Sequence, residues 1–150
     1  MKKFMITSIT TLALSLGVFA FAHAAEVNEK VLKSFRETFP KAEKVNWQEF
    51  TDNYVVNFTS IGIRERITYD KDGNFVSATR YYTEDHLPAN IVCKLKKKYP
   101  GQKVFGVTEM TSETNSEYYI KLEDDTNWTT VKSDISGSME VVEKYKKADE

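Results

Sequence analysis

The sequence predicts an α+β protein in which two helices pack on one face of an antiparallel sheet of about eight strands. Apolar residues recur at helical spacing before Pro40 and again before Pro100. After each proline, apolar and polar residues alternate with a period of two, which is typical of strands in a sheet with one buried face. Because each helix has a single apolar stripe, we expect both helices to cover the apolar face. The opposite face stays open to a partner.

The two predicted helices have the same apolar spacing and the same stop signal. In the first helix the stripe is formed by Val31, Leu32, Phe35 and Phe39, and sixty residues later it is formed by Ile91, Val92, Leu95 and Tyr99. The residue before a proline avoids the helical region, so both helices are predicted to end before their prolines.

Four predicted strands follow each helix. In the first half they contain Val45 and Trp47, then Tyr54, Val56 and Phe58, then Ile63, Ile67 and Tyr69, and finally residues 75–82. In the second half they contain Phe105 and Val107, then Tyr118, Ile120 and Leu122, then residues 128–133 and 139–145. This self-similarity predicts two repeats of a helix plus four strands, at about residues 25–84 and 85–150.

Residues 1–24 predict a removable signal peptide. Lys2 and Lys3 precede an uncharged run, and Ala22-His23-Ala24 supplies small residues for cleavage before Ala25. An uncleaved anchor is the alternative, because the run is nearly long enough to span a bilayer. No cysteine lies near the cleavage site, so there is no lipobox. We therefore expect residues 25–150 to form one domain in the periplasm or outside the cell, with no stable membrane insertion.

Composition excludes several functional classes. The chain has 150 residues with 21 basic and 22 acidic side chains, a balance that does not favour nucleic-acid binding. A single cysteine, Cys93, excludes an internal disulfide and a thiolate zinc site. His86 is the one histidine after the predicted signal. We therefore expect no metal site and no cofactor.

A series of apolar and turn motifs resembles a known family. In the first half the motifs are Val31…Phe35…Phe39-Pro40, Val45-x-Trp47, Tyr54-x-Val56-x-Phe58 and Tyr69-Asp70-x-Asp72-Gly73. In the second half they are Leu87-Pro88, Ile91, Leu95, Tyr99-Pro100, Val107 and Tyr118-x-Ile120-x-Leu122. Over about residues 27–145 they resemble the exported PepSY-like family, also described as β-lactamase-inhibitor-like. The resemblance implies a tandem helix-plus-sheet protein without known catalysis. It also implies distant relatives that restrain proteases or grip an enzyme with an open sheet.

Two acidic segments predict turns rather than calcium sites. In Asp70-Lys71-Asp72-Gly73-Asn74 the glycine comes at the fourth position, whereas a calcium loop needs it at the sixth and a glutamate at the twelfth. Aspartate and glycine between two strand patterns are typical of a hairpin turn. Residues 123–125 form a second acidic turn, and weak calcium binding at these turns remains the alternative.

Cys93 is the single candidate nucleophile, and His86 is the single candidate base for it. On a helix, Cys93 points away from the apolar stripe, so we expect it to be exposed. An exposed thiol in an oxidising compartment can form a disulfide-linked dimer. A Cys/His hydrolase is an alternative function, but we expect the protein not to be an enzyme.

The open face of the sheet is the predicted binding site. If Val56, Phe58, Ile67 and Ile120 point at the helices, strand parity assigns another set of residues to the opposite face. That set consists of Phe50, Arg64, Arg66, Tyr119, Lys121 and Trp128. Aromatic residues and arginine dominate binding hot spots.

The predicted function is non-catalytic binding of a protein or peptide in the cell envelope, to inhibit or modulate an exported enzyme. The aromatic rings would supply contact area and the cations would pair with acidic or carbonyl groups. A small-ligand or glycan-binding module is the alternative, since aromatic rings on a sheet also stack on sugars. A structural role in the envelope is a further one.

Overall fold

The computed structural model describes residues 26–148, so the predicted signal peptide lies outside the described residues. The helices are α1 (Glu29–Thr38) and α2 (Ala89–Lys98), and a short 3-10 helix (Glu84–His86) precedes α2. The strands are β1 (Glu43–Glu49), β2 (Asn53–Ser60), β3 (Ile63–Asp70), β4 (Phe75–Tyr82), β5 (Lys103–Ser112), β6 (Ser116–Glu123), β7 (Asn127–Asp134) and β8 (Met139–Lys146).

The eight strands form one open sheet in which spatial order follows chain order. Each strand pairs antiparallel with the next one along the chain. The predicted α+β class, the strand number and the antiparallel pairing are therefore confirmed. The sheet continues across the boundary between the two predicted repeats, and the internal repeat itself stays a prediction.

The two helices end in the same way. The backbone N–H of Phe39 donates to the carbonyl of Phe35, and that of Tyr99 donates to the carbonyl of Leu95, both at 2.8 Å. Pro40 and Pro100 then follow, and neither can continue a helix because proline has no N–H to donate. At its start, α1 is capped by the Asn28 side chain, which accepts a hydrogen bond from the backbone N–H of Lys30 at 2.8 Å.

The helices cover one face of the sheet over two hydrophobic clusters. Under α1 the buried residues are Val31, Phe35, Tyr54, Val56, Phe58, Ile67 and Tyr69. Under α2 they are Ile63, Tyr82, Leu87, Ile91, Leu95, Val107, Tyr118, Ile120, Leu122 and Val131. The strand parity inferred from Val56, Phe58, Ile67 and Ile120 is therefore correct. Among residues 26–148, neither helix has the length and apolar character needed to cross a bilayer.

Two strand residues that were predicted to lie on the buried, apolar face of the sheet are exposed instead. Val45 is 41% exposed and Phe105 is 60% exposed. In both cases the pairing register shifts, between Glu43 and Asn46 in β1 and between Val104 and Gly106 in β5. An extra residue in one strand reverses the facing of its neighbours, so simple alternation failed at these two places.

The acidic segments form hairpin turns, as predicted. The Asp70 carboxylate accepts hydrogen bonds from the backbone N–H groups of Asp72 and Asn74, both at 2.9 Å, and Gly73 has φ of +88°. The Asp124 carboxylate likewise accepts from the N–H of Thr126 at 2.9 Å and of Asn127 at 2.7 Å. The pKa of the Asp70 carboxyl is lowered chiefly by the hydrogen bond from the Asn74 side-chain amide and then by the backbone N–H groups, and that of Asp124 chiefly by the backbone N–H of Thr126. Both carboxylates therefore serve to stabilise the hairpin turns in which they lie.

Candidate functional site

The face of the sheet opposite the helices, called the open face below, contains a broad trough near its centre. The trough has a volume of about 570 Å³, within the range of ligand sites in proteins. Its lining includes Arg64 from β3, Tyr81 from β4, Phe105, Gly106 and Thr108 from β5, and Tyr119 and Lys121 from β6. Gly106 and Thr108 are small, so the larger side chains of neighbouring strands stand higher and give the surface its concave form.

Strand register brings the lining residues together. Arg64 lies opposite Tyr81, and Tyr81 lies opposite Thr108 in the next strand pair. Thr108 in turn lies opposite Tyr119. A single row across four strands therefore carries a cation, two aromatic rings and one small residue. The Arg64 guanidinium lies 5.4 Å from the centre of the Tyr81 ring, which orients both groups.

Lys121 is enclosed by aromatic rings at one end of the trough. Its ammonium lies 4.8 Å from the ring centre of Trp128, 5.5 Å from that of Tyr145 and 5.9 Å from that of Phe105. The ammonium also donates a hydrogen bond to the Tyr145 hydroxyl at 2.8 Å. Phe105 and Trp128 meet edge to face with 4.9 Å between ring centres. This arrangement holds a positive charge at a fixed place beside apolar surface.

The cations of the open face divide into two groups. Lys132 pairs with Glu117 at 2.8 Å, and Lys147 pairs with Glu123 at 2.6 Å. Hydrogen bonding to Lys132 lowers the pKa of Glu117. By contrast, none of the ion pairs within residues 26–148 involves Arg64, Arg66 or Lys121. These three cations therefore remain available to an acidic group from outside.

The six predicted site residues are not all in one place. Arg64, Tyr119 and Lys121 line the trough, and Trp128 contacts it through Lys121 and Phe105. Arg66 lines an adjacent hollow of about 600 Å³ that also includes Arg64 and Tyr81.

Phe50 lies apart from the other five. It follows β1 and is 48% exposed. Its backbone N–H donates to Asn53, which is at the far end of β2 from the strand positions opposite Arg64. Phe50 lines neither hollow.

Three aromatic residues of this surface were missed by sequence reasoning. Tyr81 lies in a strand whose parity the pattern does not define, because residues 75–82 include apolar residues on both faces. Phe105 was assigned to the buried, apolar face of the sheet, and the bulge in β5 places it on the open face instead. Tyr145 is opposite Trp128 in β8, and this register could have been inferred only from the paired strands.

Cys93 and His86 are not joined into a catalytic pair. Cys93 is exposed, as predicted. The His86 ring packs edge to face against Tyr82, with 5.7 Å between ring centres. Among residues 26–148 no hydrogen bond links the thiol to the imidazole. The described part of the chain also contains no group of three or more His, Cys, Asp or Glu residues that could hold a metal ion.

The sequence matches no model of a known protein family, and it matches no curated protein. Solved structures share its fold. A candidate periplasmic protein of Bacteroides eggerthii has a TM-score of 0.58 and 18% identity, over 80% of this chain and 88% of that one. A DUF2874-family protein of Bacteroides uniformis has a TM-score of 0.57 and 18% identity, over 79% and 88%. A BLIP-like protein of Bacteroides fragilis has a TM-score of 0.58 and 14% identity, over 81% and 89%.

These likenesses identify the fold as the one found in BLIP-like and DUF2874-family proteins. The β-lactamase-inhibitor-like part of the predicted resemblance is therefore supported at the level of the fold. The PepSY-like part stays a prediction. Fold similarity does not carry a partner or an activity with it.

Proposed function

We propose that this chain is an exported, non-catalytic binding protein that docks a protein or peptide of the cell envelope onto the trough of its open face. The observation that carries the proposal is the set of three cations without carboxylate partners, Arg64, Arg66 and Lys121, beside exposed aromatic rings. Lys132, on the same face, does have a carboxylate partner, Glu117, so the open face does not lack carboxylates in general. The free cations suit an acidic segment of a partner.

The aromatic side chains supply the apolar part of the contact. Phe105 is 60% exposed and Tyr81 is 42% exposed. Covering such rings removes apolar surface from water, and fixed aromatic and arginine groups are typical of binding hot spots. Lys121 is held by three rings, so little side-chain freedom remains to be lost on binding.

Export is supported by two independent observations. Residues 1–24 have the charge, the apolar run and the small residues of a signal peptide. A protein with the same fold is described as a candidate periplasmic protein. A BLIP-like neighbour makes restraint of an exported enzyme the form of binding that we favour. The motifs that carry the PepSY-like resemblance are core and turn residues, so they support the fold of the proposal rather than its site.

The trough also favours a second candidate, a small anionic ligand or an acidic glycan. Its volume of about 570 Å³ and its aromatic lining fit such a ligand. A thermal-shift assay of the isolated protein with a panel of acidic sugars separates the candidates. A sugar that binds in the trough raises the melting temperature of the protein without any partner protein being present.

The direct test is capture of a partner from the periplasmic extract of the host by the tagged chain. The double variant Arg64→Glu/Lys121→Glu reverses two charges in the trough. The matched control, Lys41→Glu/Lys97→Glu, makes the same change in net charge at exposed lysines outside it. A second variant, Trp128→Ala/Arg66→Glu, tests the neighbouring surface.

We expect one partner to be retained by the wild type and by the control and lost by the trough variant. Charge reversal at contacts of this kind changes binding by roughly a hundredfold or more. A partner that the trough variant retains with unchanged affinity would refute the site. Absence of any partner, together with a stabilising acidic sugar, would favour the small-ligand candidate over the protein partner.

A further inference from the structure

A second concave surface lies on the helix side of the sheet, at the C-terminal end of α1. This helix-side cleft has a volume of about 540 Å³. Its apolar walls come from the end of α1 and from β3 and β4, and consist of Phe39, Ile67, Phe75 and Ala78. It lies on the opposite side of the sheet from the trough, so it is independent of the function proposed above.

Three charged side chains from neighbouring strands also line the cleft: Glu65 from β3, Arg80 from β4 and Glu109 from β5. Glu65 lies opposite Arg80, and Arg80 lies opposite Glu109. One guanidinium therefore sits between two carboxylates. Their side chains are 9% exposed for Glu65, 34% for Arg80 and 14% for Glu109, so the excess negative charge is largely shielded from water.

The two carboxylates differ in the number of hydrogen bonds that they accept. Glu109 accepts a hydrogen bond from the Tyr82 hydroxyl at 2.5 Å, and it accepts from Arg80 and from Thr111, each at 3.4 Å. Glu65 accepts no side-chain hydrogen bond from any residue in the range 26–148. Its nearest cation is the Nε atom of Arg80, at 3.7 Å.

The Glu65 side chain is nine-tenths buried, so its carboxylate has lost most of its hydration and receives no side-chain hydrogen bond from residues 26–148 in its place. Accordingly, burial raises the pKa of Glu65, with Arg80 lowering it and Glu109 raising it. The same carboxylate lines a cavity whose remaining walls are mostly apolar. The cleft thus contains two carboxylates and one guanidinium, and it has room for a further cation with an apolar group beside it.

We propose that the helix-side cleft is a second binding site, which takes a small organic cation whose ammonium pairs with Glu65 and whose apolar body lies against Phe39, Ile67 and Phe75. The charge complementarity selects an amine over a neutral molecule of the same shape. The volume fits one aromatic ring with a short amine-bearing chain.

The test uses 2-phenylethylammonium as the probe and backbone-amide NMR of the whole mature chain as the readout. Titration of the wild type is compared with 2-phenylethanol, which has the same ring and chain but no charge. We expect saturable shifts at Ile67 and Ala78 with the amine, and binding about tenfold weaker or worse with the alcohol.

The variant Glu65→Gln keeps the shape of the side chain and removes its charge. We expect it to weaken amine binding about tenfold or more and to leave alcohol binding unchanged. Glu140→Gln makes the same change at an exposed position in β8 and should bind the amine as the wild type does. Absence of saturable shifts at millimolar amine would overturn the proposal. Equal affinity for amine and alcohol, or unchanged amine binding in Glu65→Gln, would overturn it as well.

Discussion

Glu65 is a residue whose position follows from strand parity and whose chemistry follows from burial. It lies between Ile63 and Ile67 on the helix side of β3, in a row that is otherwise apolar. Burial raises the pKa of its carboxyl, and Glu109 acts in the same direction. Arg80 lowers that pKa without offsetting the effect of burial. The neutral form of Glu65 is therefore favoured more in the folded chain than in the unfolded one.

This shift predicts a pH dependence of stability that Glu65→Gln removes. A raised pKa in the folded state gives stability that is present below the ordinary pKa of 4.5 and is lost as pH rises through the folded value. Glutamine stays neutral at every pH. We expect the unfolding free energy of Glu65→Gln, relative to the wild type, to increase between about pH 4 and pH 7. Urea denaturation across this range measures it, and a constant difference would contradict the prediction.

Gly73 is required by both its backbone conformation and its surroundings. It has φ of +88°, and a Cβ atom there would lie 3.0 Å from the carbonyl oxygen of Lys30 in α1. Gly101 has a similar φ of +81° with nothing within 4 Å of that position. We expect Gly101→Ala to cost about 1 kcal/mol. Gly73→Ala should cost at least about 1 kcal/mol more, because it also crowds the helix backbone. Equal losses in urea denaturation would show that contact with α1 has no effect.

At the scale of the element, Phe35 is one of the buried side chains that hold α1 on the sheet, together with Val31. Phe35 meets Trp47 and Phe58 edge to face, with ring centres 5.2 Å and 5.0 Å apart. Phe35→Ala should cost about 3–5 kcal/mol of unfolding free energy, because it removes a buried ring and leaves a cavity. The control Arg36→Ala changes an exposed residue of the same helix and should cost at most about 0.5 kcal/mol. Chemical denaturation measures both, and similar losses would contradict this role.

Most elements could be predicted from the sequence because their signals are local. Apolar spacing together with Pro40 and Pro100 defines both helices, and alternation defines the sheet faces along β2, β3, β6 and β7. The first strand after each helix was less predictable. Val45 and Phe105 are exposed because bulges in β1 and β5 change the register, and a bulge depends on the partner strand.

The candidate site was predictable in part for the same reason. Parity located Arg64, Tyr119 and Lys121 on the open face, and the structure shows them in one trough. Their neighbours Tyr81 and Phe105 follow from cross-strand register, which a single strand does not contain. The helix-side cleft needs the pairing of β3 with β4 and of β4 with β5, so no local pattern in the sequence indicates it.

At the scale of the whole molecule, the exposed thiol on α2 predicts a covalent dimer under oxidising conditions. Cys93 is the one cysteine of the chain and is exposed. We expect mild oxidation to double the apparent mass on a non-reducing gel, and Cys93→Ser to remain monomeric under the same treatment. Reductant should restore the monomer. A dimer that persists in Cys93→Ser would show that association does not need this thiol.

Because the order of the strands in the sheet follows their order in the chain, the topology affects the rate of folding. Every strand after β1 pairs with the strand before it, and β4–β5 is the one pairing whose connection is long, because it contains α2. Such a topology lowers the contact order of the sheet, and folding rates of small domains rise as contact order falls. The other six strand pairs are hairpins, and each closes a short loop at small entropic cost. The sheet can therefore grow from the N-terminal hairpin onward, adding one strand at a time in the order in which the chain is made.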